Sequence, residues 1–176
     1  MSRKLALFIA ASVDGYIAGP NDDLSFLSMV EQEGEDYGYA EFTKNVDTVI
    51  LGKRTYDKVM SMGIPYPYAD KETFIITRTP QPNQGLINFY TGNLKTLVHD
   101  LKQKEGKTIF CDGGAYVINE LLQHGLIDEI TLSVIPVLLG NGIRLFNNGF
   151  NMHRLTLISA NSYPKGLVQI HYKLLK

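Results

Sequence analysis

The residues best suited to chemistry are Asp112-Gly113-Gly114-Ala115, where the apolar run Ile109-Phe110-Cys111 stops at two glycines and helical spacing resumes at once. A strand that empties into a glycine pair and then a helix leaves unpaired backbone N–H groups at the positive end of a helix dipole. No Cβ keeps an anion away. That is phosphate-binding chemistry, although a glycine pair taken singly also suits a plain tight turn. A second segment has the same form. Gly52-Lys53-Arg54-Thr55 follows the apolar residues 46–51 and opens a helix, offering backbone N–H groups, a hydroxyl and two cations. Basic residues in a first turn oppose the helix dipole, which favours acids there, so a purely structural helix start would not select them.

Other chemistries find little support. The four histidines, His99, His124, His153 and His171, are scattered with no metal-ligand spacing. One cysteine, Cys111, cannot form an internal disulfide or a cysteine-based zinc site, and in its apolar run it reads as a small buried hydrophobe. There is no Gly-x-Ser-x-Gly elbow and no Walker loop. A formal charge of −1 with mixed signs along the chain argues against nucleic acid or a membrane surface as partner. The N-terminal apolar stretch is interrupted by Asp14-Gly15 and reads as a first strand of a cytoplasmic protein, not a signal.

The elements that must position these residues follow from the hydrophobic pattern. With 176 residues and 44% hydrophobic content, one domain over residues 1–176 is expected to bury roughly two-thirds of its unfolded surface. Residues 5–13 form a near-continuous apolar run, the pattern of a central strand covered on both faces. Residues 46–51, 74–77, 86–90 and 108–111 read as further short strands. Helices are expected over 93–104, where Leu94, Leu97, Val98 and Leu101 share a face and Asn93 caps the start, and over 115–124. Residues 63–70, with Pro65 and Pro67, read as a surface loop. After Gly125 residues 129–138, 155–163 and 167–175 are strand-like, the last two joined by the turn Tyr163-Pro164-Lys165-Gly166. This is an α/β protein of three layers, αβα, whose mixed and mostly parallel central sheet has an antiparallel C-terminal edge, with ligands at the carboxyl ends of the strands.

Four segments in order, residues 10–18 (Ala-Ala-Ser-Val-Asp-Gly-Tyr-Ile-Ala), 49–56 (Val-Ile-Leu-Gly-Lys-Arg-Thr-Tyr), 76–79 (Ile-Thr-Arg-Thr) and 112–115 (Asp-Gly-Gly-Ala), resemble the cofactor-binding segments of the dihydrofolate reductase-like superfamily. Residues 125–129 and 136–142 are similar to the branch that includes the C-terminal reductase domain of bacterial riboflavin-biosynthesis deaminase-reductases. The resemblance implies NADPH as cofactor. It implies that Gly52, Lys53, Arg54, Thr55, Gly113, Gly114 and Ala115 hold its phosphates, that Thr77 and Arg78 face the adenosine 2′-phosphate, and that Ala10 and Ile17 hold the nicotinamide carboxamide.

On the substrate side, counting back from Gly52 with the family spacing places the carboxylate that pairs with an amino-pyrimidine edge at Asp36, with Glu33, Glu35 and Glu41 as competitors. Phe26, Leu27, Tyr37 and Tyr56 are candidates to sandwich a planar ring, unless they are core, and Ser133 is a further polar contact. The activity implied is hydride transfer from NADPH to a pterin- or ribosylaminopyrimidine-like substrate. The type is 5-amino-6-(5-phosphoribosylamino)uracil reductase of riboflavin biosynthesis, with Asp36 orienting substrate and helping a water deliver the proton. A dihydrofolate or dihydropterin reductase and a non-catalytic NADPH-binding protein are the alternatives. Thr55 is followed by Tyr56-Asp57-Lys58, not the Asp-Asn-Pro-like stretch that grips a ribose phosphate in the riboflavin branch, and with one cysteine no zinc deaminase is expected within these residues. Relatives in this branch are often homodimers, and the late apolar strands with residues 136–146 are the face this implies.

Overall fold

The computed structural model describes residues 3–175. Its strands are β1 (Leu5–Ser12), β2 (Tyr16–Ala18), β3 (Val46–Gly52), β4 (Glu72–Ile76), β5 (Ile87–Tyr90), β6 (Thr108–Gly113), β7 (Glu129–Ile135), β8 (Ile143–Arg144), β9 (Leu155–Ser162) and β10 (Val168–Leu174). Its helices are α1 (Tyr39–Lys44), α2 (Lys53–Ser61), α3 (Leu94–Gln103) and α4 (Ala115–Gln123). Eight strands form one sheet in the order β5-β4-β3-β6-β1-β7-β10-β9. The first six are mutually parallel, and β10 runs antiparallel to both β7 and β9. The apolar run that opens the chain therefore lies between β6 and β7, and alternate side chains of β1 enter opposite layers.

On one face α3 and α4 cover Leu5, Leu7, Ile50, Ile109 and Cys111. The α3 start follows the capping expectation, with Asn93 Oδ1 accepting the Thr96 N–H at 3.1 Å. The opposite face is covered differently. The helix there, α1, has only six residues, and the apolar surface of Val49, Leu51, Ile75 and Phe110 is closed by aromatic side chains, Tyr56 from α2 with Tyr66 and Tyr68 from the loop between α2 and β4. That loop, expected at the surface, sends its tyrosines inward between exposed Pro65 and Pro67. Tyr68 is only 4% exposed. A short helix cannot cover four strands, so the loop supplies the missing apolar area.

Two boundaries differ from expectation for simple reasons. The β7 strand ends at Ile135, not at 138, because Pro136 has no N–H to continue the ladder. The chain then returns as β8, which pairs with β2 as a small separate ribbon. Gly142 makes that return possible: a Cβ there would lie 2.1 Å from the Ala18 carbonyl oxygen. At the far edge β9 leaves Leu155, Leu157 and Ile158 about half exposed.

Candidate active site

The phosphate-binding segments lie at the carboxyl ends of adjacent strands. Gly52 ends β3 and is the N-cap of α2, and Gly114 follows β6 and is the N-cap of α4. Leu51 is registered with Gly113, so the two turns are neighbours. A Cβ on Gly114 would sit 2.9 Å from Thr55 Oγ1, and one on Gly52 would sit 3.4 Å from Val117 Cγ2. Neither helix receives a side-chain cap and neither has an acid in its first turn. Two helix starts without side-chain caps thus converge, which fits a bridging anion such as a pyrophosphate.

On the next strand outward, β4, Thr77 and Arg78 follow Ile76. Thr77 Oγ1 organises the turn by accepting the Thr79 N–H at 3.1 Å. Arg78 is exposed and has no hydrogen-bond or ion-pair partner among the described residues. The other two cations are engaged. Lys53 Nζ pairs with Asp57 at 2.6 Å, and Arg54 holds Asp22 through a fork at 2.7 and 2.8 Å, tying α2 to the segment after β2. On the inner side of β6 comes Ala10 of β1. Arg78, Gly52–Thr55, Gly113–Ala115 and Ala10 therefore stand at the tips of four successive strands, β4, β3, β6 and β1. Ile17, on β2, packs against the α3/α4 core.

Beside Ala10 opens a pocket of about 640 Å³. Phe8, Ala10, Ser133 and Ile135 form its floor, and Leu27, Val30, Tyr37 and Tyr39 are among its walls. Ser133 is registered with Ala10 across β1 and β7 and accepts a hydrogen bond from Gln169 Nε2 at 3.0 Å. Glu31, Glu33, Glu35 and Asp36 line the pocket, and among the described residues no lysine or arginine does. Asp36 lies before α1, not within a helix, because Gly34, Tyr37 and Gly38 all take positive φ and break the turn. Its oxygens accept the Gly38 and Ala40 N–H groups at 2.9 and 2.8 Å. Glu35 accepts from the Tyr37 N–H at 2.7 Å, whereas Glu33 has no partner among the described residues. Glu41, on α1, pairs with Lys44 away from the pocket wall. Of the candidate substrate contacts, Leu27, Tyr37 and Ser133 line the pocket. Phe26 lies behind it with Val30 and Ile135, and Tyr56 is buried against Tyr66 and Phe89.

Sequence reasoning named Asp112 with the glycine pair but gave its carboxylate no role of its own. Asp112 follows Cys111, which is registered with Leu7, and shares the face of Phe110 and Phe8. It is half-buried, crowded by protein yet still reached by solvent. Burial pushes its carboxyl up to about 6, against a smaller downward pull from the Tyr68 hydroxyl. Tyr68 Oη is in turn 2.9 Å from Tyr39 Oη. Burial raises Tyr39 to about 12 and raises Tyr68 as well. Cys111, fully buried, is pushed up to about 12, which leaves it an inert thiol. The only signal in the sequence was an aspartate ending an apolar strand, which the adjoining glycines overshadowed.

The turn between β1 and β2 is pinned by Asp14. Asp14 accepts from Ser12 Oγ at 2.6 Å and from the Leu139 and Gly140 N–H groups at 3.1 and 2.7 Å, so its carboxyl is held near 2. Among the described residues no group of three or more His, Cys, Asp or Glu gathers to hold a metal, and no helix is long and apolar enough to cross a membrane.

The fold, a mostly parallel sheet between helical layers with an antiparallel edge, is dihydrofolate reductase-like. Enterococcus faecalis dihydrofolate reductase, solved with NADP(H) and RAB-propyl, superposes with a TM-score of 0.66 at 15% identity over 100% of both chains. Within that class the chain belongs to the RibD C-terminal domain family, whose model matches residues 3–169. A Shewanella sp. PV-4 protein named for riboflavin biosynthesis matches over 100% of both chains with a TM-score of 0.89 and 29% identity. The uncharacterized Bacillus subtilis protein YwjB is 38% identical over 173 residues, 98% of each chain.

Proposed function

We propose that the protein is an NADPH-dependent reductase of a planar, amino-substituted nitrogen heterocycle of the pterin or aminopyrimidine type. One observation carries the reading: four adjacent strand tips present an exposed cation, two uncapped helix starts and Ala10 in spatial order, and the pocket opens where that line ends. In this reading Arg78 takes the 2′-phosphate, the turns at Gly52–Thr55 and Gly113–Ala115 hold the pyrophosphate, and the Ala10 and Ile17 backbones orient the nicotinamide. Bound there, the dinucleotide supplies the hydride. The protein contributes orientation and a pocket in which Leu27 and the β1 and β7 side chains exclude water.

The acidic rim selects substrates that present N–H donors. Asp36 and Glu35, fixed by backbone amides, and the unpartnered Glu33 are the carboxylates for an amino edge. The phosphorylated aminouracil is the second reading, favoured by family membership. Its phosphate would meet the four carboxylates that line the pocket, while the cation beside them, Lys165, is held on the Glu31 carbonyl, so the geometry favours a substrate without phosphate. We also propose a homodimer through the apolar edge strand β9, since an unpaired strand edge with Leu155, Leu157 and Ile158 exposed is a template for an identical strand. Light scattering should report a dimer for the wild type and a monomer for Leu157→Lys.

Calorimetric titration with NADPH tests the cofactor half, and loss of reduced-nicotinamide absorbance with dihydropterins, dihydrofolate and the aminouracil ribotide tests the substrate half. NADPH binding with turnover of a dihydropterin is the expected result. No affinity for the reduced dinucleotide would overturn the assignment.

A further inference from the structure

Reduction of a C=N bond needs a proton as well as a hydride, and the pocket rim is a poor place to store one. Asp36 is exposed and spends both oxygens on the backbone N–H groups of the α1 start. A better placed donor lies below the opposite wall. Tyr39 belongs to the pocket wall, its hydroxyl is 2.9 Å from that of Tyr68, and Tyr68 packs edge-on to Phe110, two residues before Asp112 on the same face of β6. We propose that Asp112, Tyr68 and Tyr39 form a proton relay that stores a proton at the end of β6 and delivers it through two hydroxyls to the substrate in the pocket. The inference rests on the reductase reading of the site.

The chemistry balances. As the substrate carbon gains the hydride's two electrons and its hydrogen, the C=N π bond opens onto nitrogen. The nitrogen takes the proton of Tyr39 Oη. Tyr39 takes the Tyr68 proton, and Tyr68 takes the Asp112 proton. The carboxylate left on Asp112 is recharged from water, which reaches it because it is only half-buried. Each O–H bond that breaks is matched by one that forms, and the net consumption is one proton from solvent per hydride. Neither tyrosinate has to exist freely: desolvation keeps both hydroxyls protonated far above neutrality, so each passes on a proton only as it receives one. The titratable groups facing Asp112 are Tyr39 from α1, Tyr66 and Tyr68 from the loop after α2, and Cys111 beside it on β6. None of them is a cation that would trap the carboxylate in its ionised form, and a carboxyl near 6 can both hold and release a proton around neutral pH.

The relay can be read in the protein alone. With carbon-13 at tyrosine Cζ and aspartate Cγ, assigned through Tyr39→Phe and Tyr68→Phe, Asp112 should titrate near 6 and the Tyr39 Cζ resonance should step at the same midpoint. In Tyr68→Phe, which removes only a hydroxyl, Asp112 should still titrate while the Tyr39 step disappears. A wild-type Tyr39 that ignores the Asp112 titration, or a step that survives in Tyr68→Phe and so acts through space, would overturn the relay. In turnover with NADPH, Tyr39→Phe and Tyr68→Phe should each lower kcat by about 10²-fold and leave KM for NADPH within about twofold. Variants that keep wild-type kcat would remove the delivery role. A wild type that shows the coupled titration but has no affinity for NADPH would remove the reductase reading and leave the hydroxyl chain standing.

Discussion

The cofactor side of the site is built mainly of backbone at the ends of β3 and β6, whereas the substrate side is built of side chains brought from residues 8–10, 27–39 and 133–135, with Tyr68 and Asp112 behind them. The first kind of site is rigid because it consists of strand ends and helix starts already fixed by the sheet. The second depends on short, irregular segments. Residues 30–39 are held by the Tyr37 hydroxyl on the Val30 carbonyl, by Gln169 Nε2 on the Tyr37 carbonyl at 3.0 Å, and by Lys165 on the Glu31 carbonyl. A pocket wall of this kind can change its side chains without disturbing the sheet, so one cofactor frame can serve different substrates.

Substitutions on the two sides should therefore fail in different ways. The largest effect is expected for Gly114→Val, whose Cβ would collide with Thr55 and push the two helix starts apart. Loss of two backbone hydrogen bonds to a charged group, at roughly 1.5–3 kcal/mol each, corresponds to a weakening of NADPH binding by about 10² to 10⁴-fold in calorimetry. Gly114→Ala serves as the milder control.

Asp112→Asn should affect stability instead, and with a definite sign. A carboxyl raised from 3.8 to about 6 in the folded protein favours its protonated form there. The native state is therefore penalised as pH rises from about 4 to 6, and the penalty is constant above that range. The asparagine variant should be more stable than the wild type by roughly 3 kcal/mol at pH 8, and the gain should fade as pH falls towards 4. Urea denaturation at the two pH values checks it, and an equal effect at both would mean that the aspartate is not perturbed.

Arg78→Ala sharpens the comparison from the cofactor side. Because Arg78 has no partner among the described residues, its loss should leave the fold's melting temperature unchanged, weaken NADPH about tenfold and leave NADH untouched. Equal losses for both dinucleotides would remove it from the 2′-phosphate.

These differences track what could be read from the chain. The Gly52 and Gly113-Gly114 turns were legible because a backbone anion site writes itself locally, as an apolar run, a glycine and a helical period. The capping of α3 by Asn93 and the hairpin of β9 and β10 were legible for the same reason. Asp36 was placed by counting back from Gly52 with the family spacing, a count that carries no local signal, and the structure shows Gly34, Tyr37 and Gly38 bending the chain around it. Tyr66 and Tyr68 were read as loop residues because nothing local says that α1 is too short to cover its face of the sheet.

By itself the sequence determined the alternation of strands and helices, the hairpin of β9 and β10 and the two glycine turns, since each is written in neighbouring stretches of the chain. Only the tertiary structure decided that β3, β4, β6 and β1 bring their ends together in that spatial order, and that Tyr39, Tyr68 and Asp112, from three distant segments, share one chain of hydroxyls. Strand order and side-chain convergence are set by which apolar faces can be buried together, and that is a property of the whole sheet, not of any stretch of the chain.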